Sequence, residues 1–326
     1  MNAMNDIGVA ALEQLGGMSL MLRPGLDGMR LLEWARERHD CIEAVVAAHG
    51  ALLLRGLPVH SSKQFGELLA ILFGDTLLEY SYRSTPRTEL RGNIYTATEY
   101  HADQTIPQHN ENAYARSWAM RIGFLCLQPA AGGGATPIAD SRRVYQMIPA
   151  AVRERFERHG VMYVRNYSDL DLAWSEVFQT SDRGEVERFC DTNGIGYEWL
   201  EDNCLRTVQV NPATALHPVS QVPVWFNQAH LFHVSSLDEA VRDSLVSVLG
   251  EDRLPRNTFY GDGSPIEPET LALIRDAYEQ TKVRFTWERG DLLLLDNMLY
   301  THGRDPYVGE RKVLVGMARP HGHDSA

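Results

Sequence analysis

Two short stretches decide how this chain folds and what it holds: HNE at residues 109–111, and DNMLYTHGR at residues 296–304. Residues 109 and 111 lie two apart, so on a β-strand both side chains point to the same face of the sheet. A second strand, far along the chain, must bring the imidazole of His302 toward them. Two imidazoles and one carboxylate are the ligands with which proteins hold a mononuclear non-haem Fe(II) and leave one face of the metal open. His109, Glu111 and His302 are therefore candidate ligands of one metal ion.

The sequence around these residues carries more weight than the triplet itself, because a chain with 12 His and 43 acidic residues contains His-x-Glu by chance. An apolar segment, Ile122–Leu127, follows Glu111 and leads into the glycine-rich stretch PAAGGGATP at residues 129–137. After His302 comes a turn and then RKVLVGMA at residues 311–318, which predicts an apolar strand opened by two basic residues.

The rest of the chain mixes strand and helix patterns without the regular alternation of a doubly wound sheet. The predicted helices are 27–48, 61–74, 141–159 with a break at Pro149, 184–190, 236–249 and 268–281. The predicted strands are 51–55, several within 94–127, 161–165, 205–210, 224–227, 284–287, 291–295 and 311–318. Strands near both ends with helices inserted between them predict a mainly β protein with helices, namely a double-stranded β-helix (jelly-roll) core decorated by helical insertions.

The same pattern predicts the domain organisation. A length of 326 residues suits one large domain or two small ones, and neither an internal repeat nor a low-complexity linker divides the chain. We expect residues 1–50 to form an N-terminal lead and flanking helix. Residues 51–320 should form the jelly-roll domain, with an insertion at about 141–282. We therefore expect a single catalytic domain.

Composition restricts the class of protein. The net charge of −12 argues against a nucleic-acid-binding protein, which needs clustered Lys and Arg to contact phosphates. No apolar run approaches 18 residues and no basic segment precedes an apolar one at the N-terminus, so neither a membrane span nor a secretion signal is expected. The four cysteines form no C-x-x-C pair, which fits a reducing compartment. We predict a soluble, cytoplasmic protein.

Several blocks of sequence resemble, in this order along the chain, the iron(II)/2-oxoglutarate-dependent dioxygenases of the taurine dioxygenase type. Besides the stretches already quoted, they are YSYRSTPR (80–87), YTATEY (95–100), WFNQAH (225–230) and YGDG (260–263). The resemblance extends from about Ala51 to Pro320 and is strongest to the branch of syringomycin-type amino-acid hydroxylases. It implies an enzyme that uses Fe(II), 2-oxoglutarate and O₂, with His109, Glu111 and His302 as the iron ligands.

The resemblance also implies how 2-oxoglutarate binds. Its keto-acid end chelates iron, while its distal carboxylate needs a fixed cation, for which the planar guanidinium of Arg is better suited than Lys. The resemblance assigns this carboxylate to Arg311, and Thr136 adds a hydroxyl donor. Because side chains alternate along a strand, a shift of one residue in register would put Lys312 in place of Arg311.

A rival pair of ligands, His101 and Asp103, lies eight residues before His109. Only one of the two pairs can supply the ligands of a single iron. The distance along the chain from His109 to Thr136 matches that of the family, whereas the distance from His101 is eight residues too long. We therefore expect His101 and Asp103 to be a polar pair near the mouth of the pocket.

Substrate contacts are predicted at Arg83, Arg165 and Asn227, which lie in blocks or strands that resemble the hydroxylases. An Arg suits the carboxylate of an amino acid, although a structural hydrogen bond or a surface charge explains each of these residues equally well. The resemblance implies hydroxylation of an amino acid, either free or carried on a peptidyl carrier protein, in natural-product biosynthesis. Succinate and CO₂ are the expected by-products. Since Glu111 keeps the carboxylate that related halogenases lack, chlorination is not expected.

Other functions stay open on the sequence alone. The same iron chemistry also gives desaturation, cyclisation or fragmentation of a substrate. A jelly-roll protein with a His/Glu/His site is also compatible with a non-catalytic binding module or a zinc hydrolase that uses bound water. Neither of these needs the oxoglutarate-binding pair of Arg311 and Thr136. Monomer and homo-oligomer both stay open.

Overall fold

Among the described residues strands are more numerous than helices, and they form one large sheet and several small ones. The computed structural model describes residues 13–15, 19–26, 28–80, 82, 84–85, 87–97, 100–168 and 170–323. The strands are β1 (Glu13–Leu15), β2 (Ser19–Leu22), β3 (Ala51–Leu54), β4 (Ile94–Thr96), β5 (Ile106–His109), β6 (Ser117–Gln128), β7 (Gly132–Gly133), β8 (Ile138–Asp140), β9 (Val161–Tyr167), β10 (Gly196–Trp199), β11 (Leu205–Asn211), β12 (Thr214–Leu216), β13 (Pro223–Trp225), β14 (Arg256–Tyr260), β15 (Leu292–Asp296), β16 (Tyr300–Arg304), β17 (Tyr307–Val308) and β18 (Lys312–Gly322). The α-helices are α1 (Leu31–His49), α2 (Ser62–Phe73), α3 (Ser141–Met147), α4 (Ala150–His159), α5 (Trp174–Phe178), α6 (Arg183–Asn193), α7 (Ala229–Phe232), α8 (Glu239–Leu249) and α9 (Pro268–Thr281).

Two sheets built from both ends of the chain form the core. The larger has the order β1-β2-β3-β15-β6-β18-β4, and the smaller has the order β5-β16-β8. Every pairing in them is antiparallel except that of β2 with β3. A further four-stranded sheet, β10-β11-β9-β14, comes from the middle of the chain. This is the predicted jelly-roll core with helical insertions.

Strand β15 shows how the larger sheet is buried on both faces. It lies between β3 and β6, and all five of its residues are buried. Leu292 and Leu294 pack into a cluster with residues of α1 and α2, whereas Leu293 and Leu295 pack into a second cluster on the opposite face. A strand that is covered on both faces has an unbroken apolar run in place of an alternating one, which is the pattern of this segment.

Two glycines let helix α2 approach the larger sheet closely. Gly123 of β6 and Gly316 of β18 are direct cross-strand partners. A Cβ atom on Gly123 would lie 2.5 Å from a methyl carbon of Leu69, and one on Gly316 would lie 2.6 Å from the other methyl carbon of the same residue. Leu69 of α2 therefore packs directly on the backbone of both strands, and any larger residue at either position would push the helix away.

The helix ends agree well with the predictions. Helix α1 ends at Gly50, which has a left-handed backbone (φ 82°) and donates its N–H to Val46. Helix α2 begins after Ser61, whose hydroxyl accepts the N–H of Gln64, and it ends at Gly74. The break predicted at Pro149 separates α3 from α4. Helix α1 begins at Leu31, and residue 27, where it was predicted to begin, lies outside the described residues.

One predicted strand is wrong. Residues 284–287 form no strand, and only Val283 makes an isolated bridge to Ile138. Phe285 and Trp287 are buried and point into the core, so the alternating burial that suggested a strand is real. No neighbouring strand pairs with their backbone, however, and hydrogen-bonded pairing defines a strand. The predicted boundaries of the domain and of its insertion stay predictions. Among the described residues no helix is both long and apolar enough to span a membrane.

Candidate metal and co-substrate site

Three predicted ligands meet at one end of the smaller sheet. His109 of β5 and His302 of β16 are direct cross-strand partners, and their ring centroids lie 4.4 Å apart. One ligand atom from each of His109, Glu111 and His302 lies within 4.8 Å of the other two. Among the described residues, no other group of three His, Cys, Asp or Glu side chains is close enough to hold a metal ion.

Glu111 lies two residues beyond the end of β5, which corrects the prediction that one strand carries both ligands. Asn297 holds it in place. The side chain of Asn297 accepts the N–H of Glu111 at 2.7 Å and donates to its carbonyl oxygen at 2.9 Å. In return, the side chain of Asn110 donates to the carbonyl oxygen of Asn297 at 2.6 Å. Asn110 and Asn297 therefore join the motif of residues 109–111 to that of residues 296–304.

A close approach of two backbones completes this arrangement. Gly303 follows His302, and a Cβ atom on it would lie 2.6 Å from the carbonyl oxygen of Ile106 in β5. The pairing of β16 with β5 shifts in register at this point, between His302 and Arg304. A residue larger than glycine would force the strands apart beside the two imidazoles.

The state of His109 suits a metal ligand. Its Nδ1–H donates to the carbonyl oxygen of Pro107 at 2.9 Å, which fixes the ring and leaves Nε2 available. Burial lowers the pKa of His109 to about 4, and the neighbouring His302 acts in the same direction. The imidazole is therefore neutral at physiological pH, which is the form that binds a metal. His302 is buried as well, and its Nδ1 has no hydrogen-bond partner among the described residues.

Glu111 is held by Arg87, a residue whose role the sequence did not reveal. A guanidinium nitrogen of Arg87 (Nη2) lies 2.7 Å from Oε2 of Glu111, and both side chains are buried. Burial alone would raise the pKa of Glu111, but the charge of Arg87 and the neighbouring His302 outweigh it and lower the pKa below its ordinary value. Glu111 is therefore an ionised carboxylate. Arg87 ends the block YSYRSTPR, so the resemblance marked its position but not its contact.

We expect Arg87→Met to weaken iron binding by roughly 10- to 100-fold, because partners of metal ligands typically contribute that much to affinity. The substitution removes the contact that orients Glu111 and the charge that keeps it ionised. Anaerobic equilibrium titration with Fe(II) measures the change. Arg142→Met is the matched control, since Arg142 has the same 2.7 Å contact with a carboxylate, that of Asp140, and does not contact a candidate ligand. An unchanged affinity in Arg87→Met would contradict this role.

The predicted oxoglutarate residues line the same cavity as the imidazoles. The walls of this cavity include His109, His302, Thr136 and Arg311. Arg311 donates to the hydroxyl of Thr136 at 3.1 Å and to the carbonyl oxygen of Gly134 at 3.0 Å. Lys312 is exposed to solvent. Of the two neighbouring basic residues, Arg311 is thus the one that faces the cavity.

Burial shapes the chemistry at this end of the cavity. Burial, together with the nearby charge of Arg304, lowers the pKa of Arg311 to about 10. The guanidinium therefore stays charged at neutral pH. Among the described residues, no carboxylate accepts a hydrogen bond from it. The hydroxyl of Thr136 also accepts the indole N–H of Trp287 at 3.0 Å. A cation and a fixed hydroxyl facing one cavity can bind the carboxylate of a small molecule.

The remaining predicted residues are more dispersed. Arg83 lies outside the described residues. Arg165 is buried on β9. Asn227 is also buried, and its side chain donates to the carbonyl oxygen of Ala213 and accepts the N–H of Ala229. These two bonds give Asn227 a structural role, and its contact with the substrate stays a prediction. The rival residues His101 and Asp103 are exposed and lie outside the three-residue group.

Comparisons with known proteins agree with this geometry. The family model for taurine catabolism dioxygenase TauD, TfdA family, matches residues 13–318. The dapdiamide synthesis protein DdaC of Enterobacter agglomerans is 42% identical over 283 residues, which cover 86% of each chain. A clavaminate synthase-like protein of Arabidopsis thaliana is 31% identical over 290 residues, or 85% of this chain and 84% of that protein.

Solved structures show the same fold. The PvcB protein of Pseudomonas aeruginosa superposes with a TM-score of 0.54 at 16% identity, over 92% of this chain and 85% of that chain. A second structure, described as PvcB, an Fe, alpha-ketoglutarate dependent oxygenase from an isonitrile synthetic pathway, gives a TM-score of 0.53 with the same identity and coverage. At this level of identity the likeness concerns the fold.

Proposed function

Because this chain belongs to the taurine catabolism dioxygenase TauD, TfdA family, we propose that it hydroxylates an amino-acid-like small molecule in natural-product biosynthesis. The enzyme is a dioxygenase that uses Fe(II), 2-oxoglutarate and O₂. The relationship to a dapdiamide synthesis protein supports a role in the synthesis of a natural product. Cytoplasm is the compartment we propose, since it is reducing and keeps iron as Fe(II).

One observation carries the assignment of residues: His109, Glu111 and His302 converge beside the pair formed by Arg311 and Thr136, and four of these five line one cavity. Two imidazoles and an ionised carboxylate fit Fe(II) and leave coordination positions open. When bound, the iron supplies the redox chemistry that couples the conversion of 2-oxoglutarate and O₂ into succinate and CO₂ to oxidation of the substrate. A zinc hydrolase or a binding module would not need the cation and hydroxyl beside the ligands.

The residues of this chain have distinct tasks in the proposed reaction. His109, Glu111 and His302 would hold the iron, and Arg87 orients Glu111 and keeps it charged. Arg311 and Thr136 would bind the distal carboxylate of 2-oxoglutarate and so direct its keto-acid end toward the ligands. Because Glu111 occupies the ligand position, the product should gain one oxygen or lose two hydrogens and contain no chlorine.

We expect Arg311→Ala to raise the concentration of 2-oxoglutarate needed for half-maximal rate by one to two orders of magnitude. The substitution removes a charge-assisted bidentate contact, which is worth roughly 1.5–3 kcal/mol. Iron binding, measured separately by titration, should change far less. Lys312→Ala is the control, because the neighbouring side chain is exposed to solvent. If Lys312→Ala were impaired and Arg311→Ala were not, Lys312 would be the residue that binds the distal carboxylate of 2-oxoglutarate.

The reaction itself is tested by incubating iron-loaded enzyme with 2-oxoglutarate and a panel of free and carrier-bound amino acids. Mass spectrometry then measures succinate and the mass of the product. Succinate equal to oxidised substrate, with one oxygen gained from O₂, supports hydroxylation. Loss of two hydrogens indicates desaturation or cyclisation, and smaller products indicate fragmentation. Product formation at the same rate without O₂ would contradict the proposal.

A further inference from the structure

Arg165 differs from every other buried arginine in the described part of the chain. Arg87 contacts one carboxylate, Arg121 contacts two, and Arg304 donates to three main-chain carbonyl oxygens. Arg165 is only 2% exposed, and none of its three guanidinium nitrogens has a hydrogen-bond partner among the residues that the structure describes. A cation that is buried without an acceptor is strongly unfavourable for the folded protein. A hydrogen-bond acceptor from another molecule would remove this cost.

Aromatic faces surround Arg165, and no carboxylate of the described residues accepts a hydrogen bond from it. Its guanidinium carbon lies 4.8 Å from the ring centre of Tyr167 and 5.9 Å from that of Tyr82. The nearby carboxylate of Asp171 is already engaged by both ends of the Arg256 guanidinium. Stacked rings hold a guanidinium in one plane and stabilise its charge, but they leave its N–H groups in that plane without acceptors.

Arg165 is linked to the metal-ligand group through neighbouring residues. Arg87 contacts Glu111, and Tyr82, five residues earlier in the chain, lies over Arg165. Tyr114, three residues after Glu111, donates its hydroxyl to the carbonyl oxygen of Tyr82 at 2.6 Å. The rings of Tyr82 and Tyr114 lie 5.7 Å apart. Tyr82 and Tyr114 therefore link Arg165 to the segment that carries Glu111.

We propose that Arg165 binds a free carboxylate of the substrate. This inference rests on the proposed function and deepens it, because it names a chemical group that the substrate must carry. The planar fork of a guanidinium matches the two oxygens of a carboxylate, and a buried site makes that contact strong. A substrate joined to a carrier protein through its only carboxyl group has lost this charge. Arg165 therefore selects against a carrier-bound amino acid that has no second carboxyl group, and it favours a free amino acid or a soluble derivative of one.

The first test measures whether Arg165 stabilises the folded protein, as expected of a structural residue, or does not, as expected of a residue that binds a ligand. Arg165→Met removes an unpaired buried charge and keeps a side chain of similar length, so the melting temperature of the ligand-free protein should stay the same or rise. The matched control is Arg256→Met. Arg256 is the direct cross-strand partner of Arg165, but it has acceptors in Asp171 and Ser84, so its loss should lower the melting temperature. An equal fall in both variants would overturn the proposal.

The second test measures carboxylate binding directly. Wild-type protein is first saturated with Mn(II) and 2-oxoglutarate, so that Arg311 is occupied and no turnover occurs. Free amino acids and N-acetylamino acids are then titrated, each against its own primary amide, and the melting temperature is followed. At least one carboxylate should bind roughly 10- to 100-fold more tightly than its amide in wild-type protein. This preference should vanish in Arg165→Met and be reduced in Arg165→Lys, which keeps the charge but loses the fork.

The outcomes distinguish a failure of the proposed function from a failure of the role proposed for Arg165. If 2-oxoglutarate with Mn(II) does not raise the melting temperature of wild-type protein, the proposed function fails. If it does, but no carboxylate binds more tightly than its amide, the role of Arg165 is wrong. A preference that persists in both Arg165 variants would overturn it as well.

Discussion

Replacing His302 with alanine is expected to remove tightly bound iron and to reduce succinate formation to the level seen without iron. His302 is one of three donors held within 4.8 Å of each other, and two remaining donors leave the ion without the third corner of its binding face. His109→Ala and Glu111→Ala should have the same effect. Metal analysis of protein loaded with Fe(II) under anaerobic conditions measures the loss independently of turnover.

The rival pair supplies the control for this experiment. His101→Ala and Asp103→Ala change exposed side chains outside the three-residue group, so both variants should retain iron. Loss of iron from either variant, together with its retention in His109→Ala, would show that the wrong His-x-carboxylate pair was chosen.

Asp296→Ala is expected to lower the free energy of unfolding by about 3–5 kcal/mol, the usual cost of removing one partner from a buried ion pair. Asp296 is fully buried and lies 2.5 Å from Arg121 and 3.0 Å from His217. Its other oxygen accepts the backbone N–H groups of Met298 and Leu299, which begin the turn toward His302. Urea denaturation of both proteins gives the difference.

An exposed pair and the pH dependence provide two controls. Asp305→Ala breaks a contact with the half-exposed Arg284, so it should cost about 0–1 kcal/mol. Burial opposes ionisation of Asp296, but His217 and Arg121 outweigh it and lower its pKa. The stabilisation is therefore complete above the unfolded pKa, which is about 4, and is lost as the pH falls further. Equal losses in Asp296→Ala and Asp305→Ala would contradict the assigned contacts.

Much of the fold could be predicted because burial leaves a direct pattern in the sequence. Leu292–Leu295 is an unbroken apolar run because both faces of β15 are covered. Ser61 and Gly74 mark the ends of α2 through their own hydrogen bonding and backbone angles. The strand predicted at 284–287 failed because alternation reports which side chains are buried, whereas a strand also needs a neighbour to pair with.

The candidate site could be predicted in part for a similar reason. His109, Glu111 and His302 lie in short motifs with recognisable flanks. The contact between Arg87 and Glu111 joins residues 24 apart that both lie outside the helices and strands, so no periodicity marks it. Asn110 and Asn297 stood inside the quoted motifs, but their mutual hydrogen bonding depends on the tertiary fold. Whether a buried Arg165 has an acceptor is likewise a property of the packed protein alone.

The pairing of His109 with His302 across two strands has a consequence for how the protein acquires its metal. The same backbone hydrogen bonds that build the smaller sheet set the two imidazoles side by side, and Arg87 holds the carboxylate next to them. In zinc fingers, by contrast, the ion itself drives folding. We therefore expect the chain to fold without the metal and to bind it afterwards, so that iron removed by a chelator should return without refolding. Such a site should also bind other divalent ions, and the metal that it holds would then depend on the supply.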